Sequence, residues 1–418
     1  MQRKIANFFL FLTPACTFVF PGSYWLGALM FSSMGIWMIA RRQVGISDTI
    51  TALREIPMMW GFVIYMILHT SLCIYHDEAA KHFGNVIPFL LSPLIFIAVS
   101  RNSPDPKNFW LGCATGALLA FSIGMYQVYV LNVDRAFGFR NPIMFGNTAI
   151  ILGTGSLVGL IYCRSIYQDI LSRLYLLVCG IAGLFASLLS GTKGGWLSLA
   201  MLVVMLSSAV THSLHWVKRV LIAAVMLLTI AVIVVFIPKL PIVDRLLSAY
   251  HGAVMWLKTG EVTEASASIR LEAFKAGLIA GAQSPLLGPG HQGAREAVIE
   301  AAREGLISKE VVNGQVHDPH NDIISVFSKN GIIGVIAVLA AQIGIFLTFW
   351  AGRKEADSQL KALSMMGILL VLLYFEFGLT VSVFGTAIFR TIYISSAILL
   401  AALIFAQKRR LSTSGQTA

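Results

Sequence analysis

The stretch "PHNDIISVFSKNGIIGVIAVLAAQIGIFLTFW", Pro319 to Trp350, decides how the rest of the chain is read. Pro319 has a fixed φ and no amide hydrogen, so His317 to Asn321 form a loop rather than a helix interior. A helix then starts at about Asn321 or Asp322. From Ile323 onward the stretch is almost wholly apolar. It is long enough to cross a bilayer core about 30 Å thick, which takes about 20 helical residues. Titratable and polar groups (His317, Asp318, His320, Asn321 and Asp322) therefore crowd the mouth of a membrane helix.

Similar runs recur along all 418 residues, of which 57% are hydrophobic and 12% charged. With a mean hydropathy of +0.77, such a chain cannot keep its surface wet and is expected to be an all-α integral membrane protein. The hydropathy favours helices over a barrel, whose strands would alternate over about ten residues. Twelve transmembrane helices are predicted, at roughly 5–20, 24–40, 57–75, 84–100, 109–131, 143–162, 174–190, 195–211, 220–237, 322–349, 362–379 and 384–406. With the N-terminus in the cytoplasm, 17 of the 31 lysines and arginines fall inside, and the short outer loops keep only Lys81, Arg135, Arg140 and Lys193. That asymmetry predicts cytoplasmic termini. "MQRK" before an apolar run is then the start of an uncleaved first helix rather than a signal peptide.

The expected organisation is helices 1 to 9 over 1–237, one large, partly helical periplasmic loop over 238–321, helices 10 to 12 over 322–410, and a disordered cytoplasmic tail, 411–418. Within the loop, "IVDRLLSAYHGAVMWL" spaces Ile242, Leu246, Ala249, Ala253 and Leu257 along one face, as an interfacial helix does. "ASIRLEAFKAGLIAGAQ", halted by "SPLLGPG", and "AREAVIEAAREGLIS" predict two further helices. The five cysteines lie in or beside apolar runs without a C-x-x-C pair, so neither a disulfide framework nor a thiolate metal site is expected. The net charge of +11 matters less than where the cations sit, and no nucleic-acid partner is expected.

Cations in short outer loops run against the orientation signal and need a local reason. Arg135 and Arg140 in "DRAFGFRNPIMFG" and Lys193 in "SGTKGGW" sit in glycine-bearing turns, where backbone amides and a cation can converge on an anion. The competing reading pairs Arg135 with Asp134 and lets Lys193 snorkel to headgroups. Arg270, at the start of a loop helix, offers an anion both a guanidinium fork and a positive helix end; otherwise it pairs with Glu264 or Glu272. Capping accounts for Asn321 and Asp322. It does not account for His320, since imidazole caps poorly and can take a proton near neutral pH. His317-x-x-His320 is disfavoured as a metal pair, because Pro319 breaks the helical face that would aim both rings together. Glu376 and Arg390 are expected to neutralise each other in the last two spans, and His212 and His215 to lie in a solvated basic turn.

An outer face with fixed cations and a histidine suits an anionic lipid-linked substrate whose leaving group is a diphosphate. His320 is the candidate base for an incoming sugar hydroxyl, and the cations meet charge on the departing group without a metal or cofactor. Paired carboxylates of the glycosidase type do not stand out.

The residues also resemble a known family. "PHNDIISVFSKNGIIG" and "SIRLEAFKAGLIAGAQSPLLGPG" are similar to the histidine motif and the loop segment of the O-antigen ligase family, and "RAFGFRNPIMFG" and "SGTKGGW" to its two outer-loop motifs, in the same order over roughly 130–345. The resemblance implies a GT-C-like enzyme of the bacterial inner membrane, its active site periplasmic. It would move an undecaprenyl-diphosphate-linked polysaccharide onto the lipid A core by metal-independent, inverting glycosyl transfer. His320 would be the general base or acceptor-orienting group, with His317 and Asn321 in support and Arg270 on the diphosphate; Lys193 stands where the family usually shows arginine. An O-antigen polymerase shares the superfamily and donor, a protein-directed oligosaccharyltransferase usually adds a soluble C-terminal domain, and a flippase of lipid-linked sugars would show more charge at mid-membrane depth.

Overall fold

In the computed structural model, residues 1–17, 20–139, 141–163, 167–192, 195, 198–199, 202–203, 215–235, 242–262, 266–309, 312 and 318–415 are described. Among them the chain is helical, without a strand. In order, the helices are α1 (Gln2–Ala15), α2 (Leu26–Ala40), α3 (Ile46–Arg54), α4 (Pro57–Tyr75), α5 (Ala80–Phe83), α6 (Ile87–Asn102), α7 (Lys107–Met125), α8 (Pro142–Tyr162), α9 (Ile170–Leu189), α10 (Trp216–Val235), α11 (Ile242–Thr259), α12 (Ser266–Ala282), α13 (Gly290–Arg303), α14 (Asp322–Trp350), α15 (Ser358–Gly378) and α16 (Ala387–Gly415).

Nine helical segments among the described residues are long and apolar enough to cross a membrane, which makes this a multi-pass membrane protein. They correspond to nine of the twelve expected spans. Of the other three, 5–20 holds the 14-residue α1, 220–237 overlaps the 20-residue α10, and 195–211 lies mostly outside the described residues.

Local chemistry sets the helix starts. Asn141, Asp169, Asn321 and Asp357 each accept a hydrogen bond from a backbone amide two or three residues on, satisfying donors that a helix start leaves orphaned. Asp322 does not share the capping role expected for it. It is buried, and its Oδ1 accepts from the Phe384 amide at 2.9 Å, because its side chain points across the bundle to the turn between α15 and α16. Arg390 donates to the Phe384 carbonyl, so Asp322 and Arg390 hold the two sides of one residue. The expected Glu376–Arg390 pair does not form: Glu376 accepts from Ser198. The turn before α16 brings its own carbonyl within reach of Arg390 and leaves Glu376 to another helix.

Helix α14 packs along α4, with Gly61 against the Ala340 carbonyl and Gly344 against Pro57, small residues that let two membrane helices close up. Midway it is broken at Gly331, whose φ of 59° and ψ of −160° leave the helical region. Loop backbone repairs the break: the Ile332 amide donates to the Pro285 carbonyl at 2.8 Å, and that of Ile333 to Leu286 at 3.1 Å. A Cβ on Gly288 would run into the Lys329 carbonyl, and one on Gly331 into Leu286. Both positions also have positive φ, so glycine is required for conformation as well as space. The segment "SPLLGPG" is thus docked into the helix.

The loop helices dock with it. Gly277 of α12 lies over Pro319 and Ile324, Gly281 lies against Phe327, and α13 packs on both α12 and α14. On α11, Leu247, Tyr250 and Leu257 stay exposed.

Candidate functional site

The site grows from the five residues that enter α14. His320 has a φ of 54°, a left-handed conformation that costs most side chains about 1–2 kcal/mol. Polar contacts on either side hold it there. Before it, Asp318 Oδ1 accepts from Ser382 Oγ at 2.6 Å; after it, Asn321 Oδ1 caps the helix through the Ile324 amide at 3.1 Å. A histidine with this backbone turns away from the helix axis and is half-buried.

Asp318 also hydrogen-bonds Ser325, whose Oγ accepts from Lys329 Nζ at 3.1 Å. Ser325 and Lys329 are one turn apart on the polar first half of α14, so the helical repeat lines both up beneath Asp318. Burial pushes the Asp318 carboxyl upward, but Lys329 and the Ser382 and Ser325 hydrogen bonds outweigh it, and the group sits below its ordinary value of 3.8, as a carboxylate.

Arg270 arrives on α12. It precedes Gly277 by seven residues and Gly281 by eleven, about two and three turns at 3.6 residues each, so it shares the face that lies on Pro319 and Phe327. The alternative partner Glu272 is taken, accepting from Trp256 Nε1 at 2.5 Å and from the Ser308 amide at 2.7 Å; Glu264 lies outside the described residues. Arg270 is partly buried, which lowers its pKa from the ordinary guanidinium value, yet a guanidinium keeps its charge in proteins.

His320 feels all three neighbours. Burial lowers its pKa below the ordinary 6.5, Asp318 opposes this, and Arg270 and Lys329 add to it. At neutral pH the imidazole is therefore unprotonated, with a lone pair free to accept a proton. A cavity of about 300 Å³ opens beside this group, between α12, α13 and the start of α14, lined by Gly277, His291, Arg295, Asp318, Pro319 and Lys329 among others. A smaller one of about 50 Å³ lies on the far side of Lys329 and His291, toward Tyr65 and His69.

The expected site residues are thus partly assembled. His320, Arg270 and Asn321 come together, and Asp318 and Lys329 join them. The guanidinium of Arg135 is held at the end of α9, where its Nε donates to the Ser190 carbonyl at 2.8 Å. Lys193, Arg140 and His317 lie outside the described residues. Lys329 carried a readable signal, since a charge inside an apolar span is costly and marks a functional position. Asp318 carried little, because its role depends on Ser382, 64 residues away.

The fold and this group of residues define a multi-pass helical membrane protein with a polar, cation-bearing site where a docked loop meets a broken helix. Residues 175–339 match the family model described as O-antigen ligase, a span that contains α12, α13 and the polar half of α14. Over this span, less than half of its length, the chain is similar to the O-antigen ligase family. Its members are membrane glycosyltransferase-type enzymes, ligases or polymerases, that act on lipid-linked polysaccharide. The chain is also similar to a protein of Haemophilus influenzae described as uncharacterized, 22% identical over 357 residues, which are 84% of this chain and 86% of that one.

Proposed function

We propose that this protein is an O-antigen ligase, transferring polysaccharide from an undecaprenyl-diphosphate donor to the lipid A core at the periplasmic face of the bacterial inner membrane, with both termini in the cytoplasm. The observation that carries this reading is the neutral imidazole of His320 in the field of two fixed cations, Arg270 and Lys329, directly after Asp318 and Pro319 of a cavity wall that Lys329 also lines. The acceptor hydroxyl oxygen attacks the anomeric carbon from the face opposite the diphosphate. As the new C–O bond forms, the hydroxyl proton passes to a ring nitrogen of His320. The anomeric bond to the diphosphate breaks, its electron pair leaves on the diphosphate oxygen, and the configuration inverts. Arg270 meets the developing negative charge with a planar fork and Lys329 with a point charge, while Asp318 orients Lys329 and limits the net positive charge. Arg135, Arg140 and Lys193 are assigned to the lipid-proximal diphosphate path, and His317 and Asn321 to supporting His320.

The test is reconstitution of the purified protein in vesicles with lipid-linked polysaccharide and lipid A core. Core-attached polysaccharide is the expected product. Longer lipid-linked chains with no attachment to core would make the protein a polymerase, and translocation with no new glycosidic bond would make it a flippase; either result overturns the ligase reading.

A further inference from the structure

A second group of titratable residues lies at the loop-bearing end of the bundle and takes no part in the chemistry above. Glu78 stands in the turn after α4, His82 in α5, and His291 is the second residue of α13. Glu78 Oε1 accepts from the His291 amide at 2.6 Å and is 2.9 Å from His291 Nδ1. Its Oε2 is 3.7 Å from His82 Nε2, and the two imidazole rings lie 3.7 Å apart, 30° from parallel.

Helix capping explains part of this. The amide of His291 belongs to the first turn of α13, and Glu78 satisfies it from another element. His76 ties down the same turn through its Nε2 contact with the Leu287 carbonyl at 3.0 Å. Docking α13 onto the α4–α5 turn therefore uses Glu78, His76 and both the amide and the ring of His291, but not His82. At 3.7 Å, His82 Nε2 is too far from the carboxylate for a hydrogen bond, and among the described residues its ring nitrogens have no hydrogen-bond partner.

A bound ion accounts for what remains. The ligand atoms of Glu78, His82 and His291 all lie within 4.8 Å of one another. Tetrahedral coordination with bonds of about 2.1 Å puts neighbouring ligand atoms about 3.4 Å apart, and the carboxylate lies at separations of that order from both rings, 2.9 Å from His291 Nδ1 through Oε1 and 3.7 Å from His82 Nε2 through Oε2. Two imidazole nitrogens and one carboxylate oxygen are a donor set for zinc and its neighbours rather than for calcium or magnesium, which take oxygen. All three residues are half-buried, so an ion can reach them. At Gly290 a side chain would press on His76 and Glu78, so glycine there lets α13 seat against the carboxylate. Two nearby ammonium groups, Lys329 and Lys81, oppose a cation, and that of Lys329 donates to Ser325 Oγ at 3.1 Å.

We propose that Glu78, His82 and His291 form a binding site for a zinc-class transition-metal ion, with one coordination position open to water, that staples the start of α13 to the α4–α5 turn. Because His291 lines both cavities, the ion would fix the cavity wall without touching reacting atoms. The inference stands independently of the ligase assignment.

The test uses full-length protein in detergent, stripped with chelator and titrated with Co²⁺, whose visible spectrum reports tetrahedral nitrogen and oxygen ligation, followed by displacement with Zn²⁺. Wild type is expected to take one equivalent at this site. H82A and H82N, which leave the Glu78–His291 cap intact, are expected to bind at least tenfold more weakly. Hydrogen exchange across residues 290–303 should slow on adding Zn²⁺ to wild type and be unchanged in H82N. Co²⁺ binding of equal strength in wild type, H82A and H82N, or no binding in wild type, would overturn the proposal and leave the cluster a hydrogen-bonded contact only. Neither outcome bears on whether polysaccharide is ligated.

Discussion

The two halves of α14 differ although one helix runs through both. Before Gly331 it carries Asp322, Ser325, Ser328 and Lys329, and after Gly331 the polar residues are Gln342 and Thr348 alone. The second half spans apolar surroundings with its backbone paired internally, as lipid demands. The first half is flanked by α12, by the residue 284–288 segment and by the turn before α16. Donors freed at the break are met by the carbonyls of Pro285 and Leu286. A helix can thus be interrupted, and charged, at membrane depth only where other protein replaces lipid. The docked loop segment is as much a part of α14 as the residues in its sequence.

The sharpest way to probe the contrast is at His320. Asparagine tolerates the left-handed conformation, so H320N should insert and fold like wild type while initial rates of transfer fall about 10³-fold, or about 4 kcal/mol, as for loss of a general base. A rate within tenfold of wild type would remove the imidazole from the chemistry. Since the folded pKa of His320 lies below 6.5, the acidic limb of the rate profile should fall below pH 6.5. The sign for stability follows: between the folded pKa and 6.5 the unfolded chain binds the proton and the folded one does not. Acidification through that window therefore destabilises wild type, and H320N should lack this component in thermal melts at stepped pH.

Arg270 comes next. R270A should lower transfer about 10²-fold through lost charge stabilisation, with R270K recovering part of it because the charge returns without the fork. Equal rates for both variants and wild type would place the diphosphate elsewhere.

The break itself is tested by G331A. The positive φ costs about 1–2 kcal/mol for a side chain, and displacing Leu286 removes hydrogen bonds worth about 1 kcal/mol each, so a loss of about 3 kcal/mol is expected in thermal or denaturant unfolding. In the second half, I336A at an exposed position should stay within about 0.5 kcal/mol. Similar losses for the two would erase the distinction between the halves. Between those two falls N321A, which removes the cap bond to Ile324 and should cost about 1 kcal/mol.

Much of the architecture was legible because it is local. Nine spans follow from runs of apolar residues, the start of α14 follows from Pro319 and Asn321, and the loop helices α11 to α13 follow from spacing and from the breaker "SPLLGPG". At the site, His320 was legible because no structural role accounted for an imidazole there. Its neighbours were harder. Capping suited Asp322 as well as Asn321, and only the fold of residues 379–386 turned Asp322 toward Phe384. The same fold separated Glu376 from Arg390.

Hydropathy, a property carried residue by residue, was enough to determine a helical membrane protein with a polar loop, and short motifs were enough to indicate a likeness to one family. Tertiary structure alone decided that the loop backbone completes α14, that Arg270 and Lys329 share His320, and that Glu78 and His82 meet His291 from more than 200 residues away in sequence. The physical reason is that the local signals act within a few turns of chain. A carbonyl that repairs a distant break, or a ligand that closes a distant cluster, acquires its meaning only when packing brings it within bonding distance.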